Sequence, residues 1–310
     1  MQAEKLKVLT GIFGDYRRSG GEFLFHCPRC KHHKLKLSIN IQKDCYKCWV
    51  CDYSGIGVRR LVRRHGDFND RKKWSEFDAT FELTDLEKLL EGQEQKEHKV
   101  NLPEGFQSLT VPNKSIASTK VRNYLARRGI SDIDIINWKI GYCPEGEFEG
   151  RVVIPSFNND GYVNFFVARA YIDHWRKYMN PRVSRNEIIF NELFLDFTED
   201  LIIVEGAFDA IKAGTNSVPL LGSTLSRKSK LLKQIVKNDT SVYLALDSDA
   251  ENKAYNIITE LIQYGIDVYK VDTSGYEDVG AMTKQEFSDR KQKAIKIDSE
   301  NYLIYQLSRV

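Results

Sequence analysis

Long apolar runs are missing from this 310-residue sequence, proline is scarce at 7 residues, and cysteine is scarcer still at 6. Each shortage excludes something. No stretch approaches the ~18 consecutive apolar residues of a membrane-spanning helix, and the mean hydropathy is −0.44, so no membrane role is expected. The opening MQAEKLKVLTGIFGDYRR lacks the apolar core and cleavage pattern of a secretion signal, which predicts a cytoplasmic protein. Seven Pro and 20 Gly are too few for a disordered or collagenous chain. Six Cys cannot staple a chain of this length, and five of them crowd between Cys27 and Cys51. In an unsecreted protein such a cluster reads as metal binding. No GxxxxGK[ST] phosphate loop occurs, which excludes a fused helicase motor. Repeats at 20–50-residue periods are likewise absent. What remains is a globular chain, 42% hydrophobic, with room for two or three domains.

The formal net charge is only +3, but it is unevenly spread. Residues 1–65 carry 14 Lys/Arg against 5 Asp/Glu, and residues 66–110 carry 6 against 11. The later segments are nearly balanced. The positive field therefore sits on the cysteine-bearing segment, where it favours encounter with a polyanion. The acidic stretch after Gly66 reads as a linker with one short helical pattern at Leu83, Leu86, Leu89 and Leu90.

Cys27-Pro-Arg-Cys30 and Cys48-Trp-Val-Cys51 form two CxxC knuckles separated by 17 residues. Two such turns supply the four thiolates that tetrahedral Zn²⁺ prefers. Leu35–Ile41 alternates apolar and polar residues as a strand does, so hairpins pinned by one structural zinc are expected. Cys45 is a competing ligand through the second CxxC it makes with Cys48. His26, His32 and His33 are the other substitutes, though four thiolates already close the site. Arg29, Lys31, Lys34, Lys36, Lys43 and Lys47 interleave with Tyr46, Trp49 and Tyr53. That mixture suits single-stranded nucleic acid; the aromatics serve equally well as the small core of the ribbon.

In the C-terminal third, Leu-Ile-Ile-Val runs into Glu205-Gly206, and Asp209 falls in the first turns of the helix that follows. A second buried strand, Val-Tyr-Leu-Ala-Leu, ends in Asp247-Ser-Asp249. The β-α-β-α-β-α-β alternation from Asp200 to Asp272 predicts a parallel sheet covered by helices. Ligands of such sheets bind beyond the carboxyl ends of the strands, where these acids collect. Converging carboxylates without an adjacent basic partner repel unless a cation joins them. Hard oxygen donors suit Mg²⁺ or Mn²⁺, and with them phosphodiester or phosphoryl chemistry.

Glu205-Gly206 followed by Asp247-Ser-Asp249 resembles the TOPRIM motif of topoisomerases, primases, some nucleases and recombination proteins. With a zinc ribbon in front, the order resembles a DnaG-type DNA primase, the bacteriophage kind in particular. Tyr124-Leu-Ala-Arg-Arg-Gly, Gly141-Tyr-Cys-Pro, Arg151-Val-Val-Ile-Pro, Val167-Ala-Arg169 and Lys177-Tyr-Met-Asn180 look like successive motifs of the primase polymerase core. The resemblance covers about residues 20–65 and 119–285. It implies an α/β fold made of an N-terminal zinc ribbon, a linker, a mixed α+β basic subdomain and a TOPRIM parallel-sheet subdomain. The corresponding spans are 1–65 for the DNA-binding ribbon, 66–118 for the acidic linker, 119–200 for the basic part of the polymerase core, 201–290 for TOPRIM and 291–310 for a tail.

By the same resemblance, Cys27, Cys30, Cys48 and Cys51 hold zinc. Arg151, Arg169, Lys177 and Asn180 contact template or nucleotide. Glu205, Asp209, Asp247 and Asp249 are the catalytic acids, with Asp278 joining Glu205, Asp247 and Asp249 as a magnesium ligand. Two departures stand out. The acid expected after Asp278 is missing, and the basic residue expected soon after Phe190 is replaced by Asn191-Glu192. Tyr142, Phe165, Phe166 and Tyr171 read as core, and Cys143 as a lone structural thiol. The implied activity is RNA primer synthesis on single-stranded DNA from ribonucleoside triphosphates, with a replicative helicase as partner. The last 20 residues are too short for the helicase-interacting domain of bacterial primases. Alternatives are a TOPRIM nuclease or topoisomerase-like enzyme, or a non-catalytic recombination mediator.

Overall fold

The structure is a computed structural model that describes residues 2–77 and 99–297. The helical pattern at Leu83–Leu90 and the tail beyond residue 297 lie outside these. The chain divides into two compact units, Met1–Glu87 and Lys88–Val310.

The first unit opens with helix α1 (Gln2–Phe13) and continues into a five-stranded antiparallel meander, β1 (Arg17–Ser19), β2 (Glu22–Phe25), β3 (Leu37–Asn40), β4 (Cys45–Cys48) and β5 (Ser54–Ile56), paired in chain order. Helices α2 (Val58–His65) and α3 (Phe68–Ser75) follow. On α1, Leu6, Leu9 and Phe13 fall on one stripe, as do Val58, Leu61 and Val62 on α2, and both stripes join Phe25, Leu37 and Ile39 in one core.

Helix α3 belongs to this unit although its sequence reads as linker. Asp67 and Asp70 form a reciprocal capping box, with Asp70 N–H donating to Asp67 Oδ1 at 2.8 Å and Asp67 N–H to Asp70 Oδ2 at 3.1 Å. Trp74 is 2% exposed in the core, and the Lys5 ammonium stands 5.1 Å from its ring centre. Two of the acids in this stretch, Asp67 and Asp70, are therefore a helix cap.

The second unit holds two sheets. The first is antiparallel, in order β6 (Gln107–Ser108), β7 (Gly141–Cys143), β8 (Arg151–Phe157) and β9 (Val163–Ala170). Helices α4 (Ile116–Arg127) and α5 (Asp132–Asn137) connect β6 to β7, each N-capped by a serine, Ser115 and Ser131. Strand β6 sits inside the stretch expected to be linker. Tyr142, Phe165 and Phe166 are buried as expected, whereas Tyr171 is half-buried beyond the end of β9. The lone Cys143 is buried, and burial pushes its thiol up to about 11.

The second sheet runs β11 (Ser217–Pro219), β10 (Leu201–Val204), β12 (Val242–Ala245), β13 (Val268–Lys270) and β14 (Ile295–Ile297). Its first four strands are parallel, as the β-α alternation predicts, and β14 adds an antiparallel edge from what reads as tail. Helices α6 (Ala207–Ala213), α7 (Lys230–Asn238), α8 (Glu251–Gln263) and α9 (Lys284–Gln292) complete the unit. Because β10 pairs with β11 on one side and β12 on the other, the chain reverses its winding direction at β10. That makes the end of β10 the topological switch point, where a crevice opens. Among the described residues no helix is long and apolar enough to cross a membrane.

Candidate metal centres and the groove beside the acids

In the first unit, the knuckles bring Cys27, Cys30, Cys48 and Cys51 together, with all four Sγ atoms within 4.8 Å of one another. Zn–S bonds of about 2.3 Å at tetrahedral angles place sulfurs about 3.8 Å apart. Cys27–Cys51 and Cys30–Cys48 are each separated by 3.8 Å, so the cluster fits a zinc ion. Burial pushes the Cys27 thiol up to about 12. Burial also opposes ionisation of Cys48, but the backbone N–H groups of Cys51 and Val50 outweigh it and draw that thiol down to about 7.

Cys45 stands outside this cluster, and so do the three histidines: His32 and His33 stack on each other at 4.3 Å, and His26 contacts the His32 carbonyl oxygen. Tyr46 and Tyr53 are core, while Trp49 is 63% exposed with the Lys47 ammonium 5.2 Å from its ring centre. Of the three aromatics, only Trp49 is free to meet a base.

In the second unit, Val204 of β10 pairs in register with Ala245 of β12, so Glu205 and Asp247 leave adjacent strands at the same end of the sheet. Asp209, one turn into α6, is held on both oxygens. Gly206 N–H donates to its Oδ2 at 2.8 Å, and Gly280 N–H donates to its Oδ1 at 2.9 Å. Asp278 caps the short helical turn at Val279–Ala281 by accepting from Ala281 N–H at 2.7 Å. Thr273 ties the loop after β13 to the end of β12 by donating to the Leu246 carbonyl at 2.8 Å.

The two glycines around Asp209 are required by close approach. A Cβ on Gly206 would lie 3.0 Å from Asp209 Oδ2, and one on Gly280 would lie 2.9 Å from Asp209 Oδ1 and 3.2 Å from Asp278 Oδ1. Asp209 thus ties the start of α6 to the loop that carries Asp278.

The carboxylates feel one another. Burial first, then the charges of Asp209, Glu205, Asp278 and Asp249, push the Asp247 carboxyl up to about 7. Burial and Asp278 raise Asp209 to about 6, against the lowering effect of its two backbone donors. Glu205 Oε1 and Asp247 Oδ1 are buried with no hydrogen-bond partner. Asp249 is exposed at the rim. Among the described residues the four cysteines are the one group of three or more ligand side chains gathered within 4.8 Å, so the acids stand further apart, and what marks them as able to hold a hard cation is the pair of unpartnered oxygens.

One feature departs from the sequence reading, which placed no basic partner here. Lys253, in the first turns of α8, donates from Nζ to Glu205 Oε2 at 3.0 Å. The two residues are 48 positions apart, so no local pattern announces the pair.

The expected template-binding residues separate into two kinds. Arg169 is half-buried; its guanidinium lies 5.6 Å from the Phe208 ring centre and 5.0 Å from that of Tyr178, whose hydroxyl it also contacts. Arg128, missed although it lies in a quoted motif, covers the same Phe208 at 5.0 Å. Because Phe208 precedes Asp209, two arginines border the acids. Lys177 is exposed. Asn180 instead accepts from Ala168 N–H at 3.2 Å, which docks its segment beside β9.

Arg151 is 2% exposed and donates to the carbonyls of Arg176 at 2.9 Å and Lys177 at 3.3 Å. It anchors a loop and has no surface to offer a template. The departure at Asn191-Glu192 is structural too: the Glu192 carboxylate is buried, paired with Lys230 at 2.8 Å and bonded by Asn159.

No protein-family model matches the chain. A DNA primase of Thermotoga maritima is 27% identical over 94% of this chain and 60% of its own length. One from Lactococcus lactis is 23% identical over 82% of this chain and 48% of its own length. The chain thus spans roughly half the length of these curated relatives. Among solved structures, the zinc-binding and RNA polymerase domains of the Aquifex aeolicus primase align with 95% of this chain and 84% of that one, at a TM-score of 0.51 and 18% identity. A DnaG primase catalytic domain bound to single-stranded DNA aligns with 63% of this chain and 77% of that one, at a TM-score of 0.52 and 18% identity. In sequence the chain is similar to bacterial DNA primases, and in fold to the zinc-binding and RNA polymerase domains of a DnaG-type primase.

Proposed function

We propose that this chain synthesises short RNA primers on single-stranded DNA during DNA replication, by nucleotidyl transfer that depends on Mg²⁺ or Mn²⁺. The observation that carries this reading is the pair of orphaned carboxylate oxygens, Glu205 Oε1 and Asp247 Oδ1, at the switch point of the parallel sheet. Glu205 and Asp247, with Asp249 and Asp278 at the edge, would hold the cation. When bound, it would neutralise triphosphate charge and the charge that develops in phosphoryl transfer.

The residues themselves position and screen. Asp209 fixes Asp278 through Gly280, Lys253 compensates Glu205, and Arg128 and Arg169 hold phosphate beside Phe208. In the reaction, a ribose 3′-hydroxyl bonds to the α-phosphorus of the incoming ribonucleotide and pyrophosphate departs. Positioning supplies much of the acceleration in such steps. The basic first unit would grip template, with Trp49 able to stack on a base. A replicative helicase is the partner that the family resemblance implies, and the cytoplasm of the bacterial or phage-infected cell is the matching compartment. Zinc is the structural cofactor.

One incubation tests this: single-stranded DNA, Mg²⁺ and labelled ribonucleoside triphosphates, resolved on a gel. Short RNA is the expected product. Cut DNA would favour a nuclease, and bound but unchanged DNA a mediator; either would overturn the reading. Asp247→Ala should abolish synthesis and leave template binding largely intact.

A further inference from the structure

Trp175 is the most exposed large apolar side chain among the described residues, at 89%. Tryptophan is usually highly buried, and here Ile172 and Tyr178, three positions to either side, are also exposed, at 49% and 42%. The loop is held from below. Buried Arg151 donates to the carbonyls of Arg176 and Lys177, and His174 Nδ1 accepts from Arg176 N–H at 3.0 Å. The imidazole of His174 lies nearly parallel to the indole, 5.7 Å between centres and 25° between planes. The Arg151 guanidinium therefore holds the backbone that follows Trp175.

The surroundings select the ligand. Arg176 and Lys177 follow Trp175 in the chain and are exposed. Next to the loop is an open groove of about 760 Å³, lined by Lys120, Asn123 and Arg127 of α4 and by Tyr171, Ile172 and Asp173. Lys120, Arg127, Arg176 and Lys177 bring four cations to this face against Asp173 and Glu149, whose charge acts on Tyr171, and the balance favours phosphate. Tyr178 is three positions on from Trp175, a reach of at most about 10 Å along the chain. Tyr178 in turn contacts Arg169 above Phe208. A strand lying across the arginines beside the acids is thus within a few nucleotides of the indole.

We propose that Trp175 is a stacking platform for an unpaired base of single-stranded nucleic acid, whose phosphates lie against Arg176, Lys177 and the Lys120–Arg127 face of α4. The inference deepens the polymerase reading and rests on it. Stacking recognises any base through its face, so the platform grips template without reading its sequence.

The test uses the full chain and a fluorescein-labelled oligothymidylate, read by anisotropy across a salt series. Trp175→Ala should weaken binding about 5- to 100-fold, with the salt slope unchanged because no phosphate contact is lost. Trp175→Phe should restore most of the affinity. An oligomer of abasic residues should bind the wild type and Trp175→Ala alike. Wild-type affinity in Trp175→Ala, or an equal loss on the abasic oligomer, overturns the platform. Primer synthesis by the wild type is scored in parallel, so that failure of the platform with synthesis intact leaves the polymerase reading standing. Absence of synthesis sinks that reading separately.

Discussion

Lys253 Nζ and Glu205 Oε2 lie 3.0 Å apart, an ion pair at the mouth of a site otherwise made of acids. The lysine occupies one oxygen of a residue whose other oxygen has no partner. It therefore competes with any cation for Glu205 while keeping the metal-free cluster from flying apart.

Replacing it should move two properties in opposite directions. Lys253→Met should bind Mn²⁺ about tenfold more tightly, from removal of one nearby positive charge, as read by electron paramagnetic resonance titration. The same variant should melt earlier without metal. Unchanged Mn²⁺ affinity would refute competition by Lys253.

The acid cluster also sets a pH dependence. Asp247 is raised to about 7 and Asp209 to about 6 in the folded chain. The folded state thus retains protons that the unfolded state has lost, and stability falls as pH rises from about 4 through about 7. Asp247→Asn should stabilise the metal-free protein at pH 7.5 by on the order of 1 kcal/mol, discounted because the carboxylate is only partly buried, and the difference should vanish near pH 4. Thermal melts in chelator at several pH values measure this; Mg²⁺ should stabilise the wild type and not the variant.

For the zinc cluster, Cys48→Ser should lose its metal and much of the first unit's structure, because a small core draws folding free energy from the ion. Cys45→Ser should keep about one zinc per chain, since Cys45 stands outside the cluster. Elemental analysis with circular dichroism separates the two outcomes.

Gly280→Ala places a methyl group against both Asp209 and Asp278. It should weaken Mn²⁺ binding while leaving the zinc content unchanged, measured on one preparation. A variant with wild-type manganese affinity would show that the Asp209–Gly280 contact does not shape the site.

Much of this was legible because the signals are local. CxxC knuckles declare themselves by spacing, and a carboxylate that ends an apolar run must emerge at a strand end. The contact from Gly280 to Asp209 spans 71 positions and left no trace in the sequence. The resemblance makes Arg151 a template contact, yet β8 is buried from Arg151 to Ser156, so its long side chain turns to satisfy backbone carbonyls of a loop. Trp74 and the Asp67/Asp70 box were visible, but the acidity around them resembles a linker. Strand β14 is three residues long and pairs only because β13 offers a free edge.

Anomalous diffraction from a crystal soaked in Mn²⁺ decides whether Glu205 and Asp247 hold a divalent cation between adjacent strand ends. A manganese peak in contact with both carboxylates is expected, with Lys253 released from Glu205. A map with no peak there, and Lys253 still bonded to Glu205 at saturating manganese, would contradict that assignment.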